Sequence, residues 1–224
     1  MNICASSLFR LSFLAITLAC TTNAFAGPPL VCHPFAIGPA KSLPSVDLNY
    51  HKGDGVYDLH NLASDTLAIL DANSVVLVHM ETLRRATLYA RQDPQAAKEL
   101  LTRLHARASN SAAGGAGALA WFDAGYFAEA YKQWMGKSEP NPAAGVDGYS
   151  LVKKAISLHG GDPEMEFAAA LITIEGPENE HREHVEKTVA GAKNDPLLAQ
   201  NLDPSYNRGR LAELLNISPA TARK

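Results

Sequence analysis

The most continuous helical pattern of apolar positions covers residues 119–135, which read LAWFDAGYFAEAYKQWM. At helical spacing, the few polar or small residues of this segment share one narrow side, namely Gly125, Glu129, Lys132 and Gln133. A helix that is apolar over most of its circumference is covered by neighbours on several sides. Six aromatic side chains, including both tryptophans, give the segment a large area to bury. We therefore predict that it is the hub of an all-helical domain.

Amphipathic patterns predict further helices before and after the hub. Apolar residues recur at i, i+3, i+4 and i+7 in eight more segments, over 58–70, 75–91, 93–108, 149–159, 163–175, 178–192, 196–202 and 206–216. Turn-forming residues predict loops at 109–117 and 136–148. Short connections favour antiparallel neighbours, so the predicted fold class is all-α, built from stacked antiparallel helix pairs.

Two local features refine these helix assignments. Asn73 and Ser74 interrupt the apolar pattern and are expected to end one helix and cap the next. In the helix that follows, Glu81 lies three and four residues before Arg84 and Arg85. This spacing predicts an ion pair on the solvent-facing side of that helix, which would contribute only a few tenths of a kcal/mol, on the order of 0.3.

An Asp-Pro pair recurs at three predicted helix starts, where the Asp can cap the helix and the Pro occupies the first helical position. These pairs begin at Asp93, Asp162 and Asp195, so their separations are close to two periods and one period of about 34 residues. On these residues, the segment 74–215 resembles tetratricopeptide-type helical repeats. The resemblance implies a helical-repeat domain over 58–217, with an extended surface that binds a protein or a peptide.

The first 26 residues have the order of a secretory signal peptide. Arg10 precedes the apolar run 11–19, and 24–26 (AFA) forms a small-x-small cleavage site. The alternative is lipoprotein processing at Cys20, although Thr17 stands where an aliphatic residue is expected. We predict cleavage after Ala26 and export to the periplasm or the outside of the cell.

A proline-rich arm, residues 27–57, follows the predicted signal peptide. Its five prolines disfavour a helix, and its scattered apolar residues suggest that it lies in extended form on the helical body. The runs Cys32-His33-Pro34-Phe35 and Ser42-Leu43-Pro44 resemble the start of certain uncharacterised exported bacterial proteins. At the other end, the tail 218–224 is predicted to be loose.

Charge and hydropathy narrow the range of partners. Arg10 is the only charged side chain in 1–26, so the remaining chain has 19 basic and 23 acidic residues, a net charge of −4. This mild acidity gives no basic footprint for nucleic acid. After the signal peptide there is no apolar run of the roughly 20 residues that a membrane-spanning helix needs. No cofactor motif is present, and none is predicted.

Cys32 and His33 are the first pair of candidate chemical groups. Because Cys4 and Cys20 lie in the signal peptide, Cys32 is the only cysteine of the exported chain and cannot form an internal disulfide. It can be buried, pair with another molecule, or act with His33 as a thiol or metal site. A metal would need further ligands, for which the arm offers only His51 and Asp54 nearby.

The aromatic helix supplies the second group of candidates. Asp123 lies among aromatic residues, where a half-buried carboxylate can act as an acid. More commonly, such a residue caps a neighbouring helix or meets an arginine such as Arg84 or Arg85. Tyr126, Tyr131 and Trp134 can line a binding groove or belong to the core. No complete catalytic motif is found.

These observations lead to three functional hypotheses. The first is an exported, non-enzymatic helical-repeat protein that binds a protein or peptide. The second is an exported metal- or thiol-dependent protein that uses Cys32 and His33. The third is a hydrolase-like enzyme with Asp123 in an aromatic cleft. The sequence predicts no oligomeric state.

Overall fold

Helices make up the regular structure of the computed structural model, which describes residues 27–48, 57–91, 93–111, 114–135 and 140–217. The predicted signal peptide and the tail 218–224 lie outside these residues. The helices are α1 (Pro29–Cys32), α2 (Leu62–Asp71), α3 (Val76–Ala90), α4 (Pro94–Asn110), α5 (Gly115–Met135), α6 (Gly148–His159), α7 (Pro163–Ile172), α8 (Glu178–Ala192), α9 (Pro196–Leu202) and α10 (Arg210–Leu214). None of the described residues is in a strand. The all-α prediction is confirmed.

The three Asp-Pro pairs begin helices as predicted. Asp93 accepts hydrogen bonds from the backbone N–H groups of the second and third residues after it, and Asp162 and Asp195 do the same. Each aspartate thereby satisfies two of the free N–H groups at the start of α4, α7 and α9. The shared cap explains why Asp-Pro stands at these helix starts, whereas the repeat itself remains a prediction.

Helix α5 is the hub of the packing. It contacts α1, α3, α4, α6 and α7, and four of its aromatic side chains are fully buried, namely Phe122, Tyr126, Phe127 and Tyr131. The helix begins at Gly115, inside the predicted loop 109–117, and α4 extends to Asn110. Trp121 was expected in the core but is only partly buried, with the Lys154 ammonium 3.3 Å from its ring centroid.

The narrow polar side of α5 is where α6 packs. Gly125 approaches Gly148 so closely that a Cβ on Gly125 would lie 2.5 Å from the Gly148 carbonyl oxygen. Glu129 accepts the backbone N–H of Tyr149 (3.0 Å), and Lys132 donates to the carbonyl of Val146 (2.8 Å). The polar residues thus pair with the free backbone groups around the start of α6, and glycine at 125 leaves room for the contact.

The start of α3 is capped by a residue from another helix. Neither Ser74 nor the N-cap residue Val75 provides a side-chain cap. Glu164, in the first turn of α7, accepts the backbone N–H of Leu77 at 2.9 Å instead. Glu164 is 7% exposed and close to the carboxylates of Asp195 and Asp162. Burial and these two carboxylates raise the pKa of Glu164 to about 7.

Because the folded state raises this pKa above its unfolded value, ionised Glu164 destabilises the fold as the pH rises from about 4.5 to about 7. We expect Glu164→Gln to add roughly 2 kcal/mol more to the free energy of unfolding at pH 8 than at pH 5, since a glutamine oxygen can still accept the Leu77 N–H. Urea unfolding at the two pH values measures this difference. Glu99→Gln, on the exposed side of α4, is the control. If pH changed the stability of both variants equally, the raised pKa would not belong to Glu164.

Two further differences from the predicted helices concern the segment 206–216 and the end of α7. The predicted helix 206–216 is divided into a 3₁₀ turn, Tyr206–Gly209, and α10, with Gly209 in the left-handed region at φ 71°. Helix α7 ends at Ile172, three residues earlier than predicted. Among the helices of the described residues, none combines the length and the apolar character needed to cross a bilayer.

Candidate functional site

The described part of the N-terminal arm, residues 27–48, lies in a groove of the helical body. It begins with the single turn of α1 and then continues without regular structure, so the prediction of a fully extended arm was wrong over Pro29–Cys32. Its apolar side chains Leu30, Val31, Phe35 and Leu43 are buried. The ring of Phe35 packs edge-on against Phe167 of α7, with a centroid distance of 5.9 Å. The arm is therefore anchored by side chains that enter the core.

Helix α3 contacts the main chain of the arm through three charged side chains. Glu81 accepts the N–H of Phe35 at 3.0 Å. Arg84 donates to the carbonyl of Val31 at 2.9 Å, and Arg85 donates to the carbonyl of Leu43 at 2.5 Å. Because these contacts involve only backbone atoms of the arm, they constrain its path rather than its side chains.

The charged cluster is internal, in contrast to the solvent-facing ion pair expected from sequence. Glu81 has no exposed surface and Arg84 is 6% exposed. Arg84 binds both oxygens of Glu81, at 2.7 and 2.9 Å, and Arg85 binds one of them at 2.6 Å. A buried carboxylate with two guanidinium groups carries a net positive charge. Each guanidinium also donates one hydrogen bond to a carbonyl oxygen of the arm, from Arg84 to Val31 and from Arg85 to Leu43.

Asn201 of α9 pairs with Ala36 through both of its amide atoms. Its Oδ1 accepts the Ala36 N–H at 2.9 Å, and its Nδ2 donates to the Ala36 carbonyl at 3.1 Å. This is the pairing that a neighbouring strand would make with an extended residue. On α5, Gln133 accepts the N–H of Leu30 at 3.0 Å. Asn201 is 2% exposed, and its Nδ2 also donates to the carbonyl of Leu197 in α9 at 2.9 Å, which holds the amide towards the arm.

Additional donors contact carbonyls towards the two ends of the arm. The Tyr206 hydroxyl lies 3.4 Å from the Pro34 carbonyl, and the Tyr89 hydroxyl 3.4 Å from the Pro44 carbonyl. Arg91 donates to the carbonyl of Leu48. We call the surface formed by the main-chain partners of the arm, together with Phe167, the arm groove; its polar members are Glu81, Arg84, Arg85, Tyr89, Arg91, Gln133, Asn201 and Tyr206.

The three aromatic residues that could line a groove or belong to the core do not lie together. Tyr126 and Tyr131 have no exposed surface, and neither hydroxyl makes a hydrogen bond with a described residue. They are core residues, because α5 is covered on all sides at these positions. Trp134 is partly exposed, and the Arg91 guanidinium lies 5.0 Å from its ring centroid. It therefore borders the arm groove at its Arg91 end.

Asp123 is the centre of a buried ionic network. Its Oδ1 accepts from Nδ1 of His79 at 2.6 Å, and its Oδ2 accepts from Arg107 at 2.6 Å. Nε2 of His79 donates to the carbonyl of Asn73 at 3.2 Å. The arginine partner is Arg107 because the expected partners, Arg84 and Arg85, bind Glu81. Asp123 and His79 have no exposed surface, so no substrate can reach this carboxylate directly.

Cys32 and His33 lie at the end of α1. Cys32 is half-buried, and its burial raises the pKa of its thiol, which keeps the sulfur in the less reactive protonated form. His33 is 6% exposed, and burial lowers the pKa of its imidazole. Within the described residues, no group of three or more His, Cys, Asp or Glu side chains is arranged to hold a metal ion. His51 and Asp54, the predicted additional ligands, lie outside these residues.

A second polar cluster, not predicted from the sequence, joins α6, α7 and α8. His184 binds Glu166 through Nδ1 and the hydroxyl of Tyr149 through Nε2, at 2.5 and 2.8 Å. The Tyr149 hydroxyl donates to Glu180 at 2.7 Å. Burial and this carboxylate raise the pKa of Tyr149 well above its ordinary value. The phenol stays protonated, so the cluster connects three helices rather than supplying a base.

Comparison of the chain with protein-family models, curated proteins and solved structures finds no match. The functional argument therefore rests on the geometry of the arm groove. Sequence reasoning missed Glu81 and Asn201 as groove residues, since both are ordinary polar positions on predicted helices. The arm itself was the available signal, because its apolar residues were expected to lie on the body.

Proposed function

We propose that the protein binds extended polypeptide segments in the arm groove, where its own arm is the resident occupant. The observation that carries this proposal is the two-atom pairing of Asn201 with the main chain of Ala36. Glu81 and Arg84 continue the same type of recognition on either side, at Phe35 and Val31. Contacts to main-chain atoms can hold any segment of suitable shape, which is how extended peptides are commonly recognised.

The predicted export and the resemblance to tetratricopeptide-type repeats bear on where the protein would meet a partner and on what kind of partner it would bind. Stacked helix pairs provide long surfaces for partner proteins, and an exported binder would meet its partner in the periplasm or outside the cell. We propose a non-enzymatic role. The two alternative functions receive less support, because Asp123 is enclosed by its ionic partners and the Cys32 thiol has no assembled ligand set in the described residues.

The tethered arm would compete strongly with any partner. A segment linked to its own binding site has an effective concentration in the millimolar range, so a free peptide at micromolar concentration displaces little of it. A test of the groove therefore needs a chain whose arm is weakened while its body is unchanged. Ala36→Pro achieves this, because proline lacks the N–H that Asn201 accepts.

The test measures the binding of a fluorescein-labelled peptide with the sequence 27–48, carrying serine in place of Cys32, to the full-length chain. We expect saturable binding to the Ala36→Pro chain and at least about tenfold weaker binding to the native chain, equivalent to about 1.4 kcal/mol. Fluorescence anisotropy measures both. Phe35→Ala provides a second chain with a weakened arm.

Matched variants locate the binding. Asn201→Ala added to the Ala36→Pro chain should abolish peptide binding, whereas Gln200→Ala, at the exposed neighbouring position, should leave it unchanged. If neither weakened chain binds the peptide while both keep the helical circular dichroism of the native protein, the proposed function is wrong.

A further inference from the structure

The arm groove makes most of its polar contacts with carbonyl oxygens. Arg84, Arg85, Arg91, Tyr89 and Tyr206 donate to carbonyls of the arm, and Asn201 adds another donor. Within the described part of the arm, groove side chains accept N–H groups at three positions, Leu30, Phe35 and Ala36. Elsewhere along the described arm, a residue without an N–H loses no hydrogen bond to the groove side chains.

Proline fits this distribution of contacts. It lacks the N–H but retains a carbonyl that accepts hydrogen bonds, and the groove indeed contacts the carbonyls of Pro34 and Pro44. Pro34, Pro39 and Pro44 are exposed, so their rings are not held in pockets. The prolines favour binding through the free segment. They restrict it to extended conformations before it binds, so that less conformational entropy is lost on binding.

The apolar anchors set the positions where proline is excluded. Phe35 is 3% exposed against Phe167, and Ala36 is 9% exposed beside Asn201. Both donate their N–H groups to buried acceptors, so proline at either position would remove one buried hydrogen bond, to Glu81 or to Asn201. A large residue at 36 would also displace the Asn201 amide. Leu43, 1% exposed, forms the next anchor after an interval of six residues.

We infer that the arm groove selects proline-rich extended segments with this order of anchors: an aromatic and a small residue that both carry N–H groups, then an apolar residue seven positions after the small one. This inference rests on the proposed function and adds the class of ligand. The prolines occupy exposed positions immediately before the aromatic anchor, between the anchors, and after the last one. The partner is thus a second polypeptide with the backbone chemistry of the arm itself.

The experiment compares variants of the 27–48 peptide on the Ala36→Pro chain. A peptide with alanine in place of Pro34, Pro39 and Pro44 should bind about tenfold more weakly, although no ring of the three is buried, because the free alanine peptide has more conformations to lose on binding. A peptide with proline in place of Ala36 should lose binding. Lys41→Ala, an exposed non-proline position, is the matched control and should bind like the native peptide.

The outcomes separate the two proposals. If the native peptide does not bind to either weakened chain, the proposed function fails. If the native peptide binds and the triple alanine peptide binds equally well, selection for proline fails while peptide binding stands. If the peptide with proline at 36 binds like the native one, the order of anchors is wrong. Isothermal titration calorimetry on the same peptides gives an independent measure of each affinity.

Discussion

Replacement of Asp123 by alanine is expected to lower the free energy of unfolding by about 3–5 kcal/mol, because it leaves the buried His79 without its counter-charge and removes one of the two carboxylate partners of Arg107. His79 has no exposed surface and donates to Asp123 at 2.6 Å, and Arg107 donates to the other oxygen at 2.6 Å. Urea unfolding followed by circular dichroism measures the loss.

Asp71→Ala is the matched control for this prediction. Asp71 binds the same Arg107 side chain at 2.8 Å, but 63% of its side chain is exposed to solvent. Exposed ion pairs contribute about 0–1 kcal/mol, so this variant should remain close to the native stability. Equal losses in the two variants would show that burial of the charge does not determine the effect.

The loss of stability caused by Asp123→Ala should also depend on pH. Burial alone lowers the pKa of His79, but the Asp123 charge and hydrogen bond outweigh it and raise the pKa above its ordinary value. A raised pKa contributes stability that is complete below the unfolded value of about 6.5 and is lost as the pH rises through the folded value. The difference in the free energy of unfolding between the native protein and Asp123→Ala should therefore be larger at pH 6 than at pH 9.

Phe122→Ala is expected to lower the free energy of unfolding by about 3–5 kcal/mol, because it removes buried apolar surface and leaves a cavity in the hub. Phe122 has no exposed surface and stacks on Tyr126 with a centroid distance of 5.5 Å. Thermal and urea unfolding measure the loss. Because the hub is well packed, we expect that neighbouring side chains do not move in to fill the cavity.

Trp134→Ala provides the comparison within the same helix. Trp134 is partly exposed, and its interaction with Arg91, at 5.0 Å from the ring centroid, contributes about 0.5–1 kcal/mol at such sites. This larger side chain should therefore cost less to remove than Phe122. A loss as large as that of Phe122→Ala would place Trp134 in the core and contradict its position at the border of the arm groove.

The positions of the helices could be predicted because their causes are local. The cap at Asp162 and the stripe of apolar residues in α7 lie within a few residues of each other, so both can be recognised in the sequence alone. The role of α5 as the hub followed from its composition alone. Boundaries were less secure where glycine was involved: Gly115 to Gly117 resembled a loop but form the first turn of α5.

The polar contacts between distant segments could not be predicted. Glu81 pairs with its sequence neighbour Arg84, as expected from spacing, but the arm covers the pair and makes it internal. The same limitation applies to Asp123, whose arginine partner is 16 residues away, and to Glu164, which caps a helix 87 residues earlier. Sequence patterns indicate which side chains are polar; only the tertiary fold decides which polar groups meet.

The pairing of Ala36 with Asn201 also bears on the order in which the chain acquires its structure. The two residues are 165 positions apart, and contacts of such long range form slowly because most of the intervening chain must be organised first. On a ribosome, the arm is synthesised early but cannot complete its hydrogen bonds until α9 has emerged. Through that interval its buried anchors, Leu30 and Phe35, remain exposed. A segment with exposed apolar side chains can be bound by chaperones or can associate with other unfolded chains. Docking of the arm buries these side chains and ends this period.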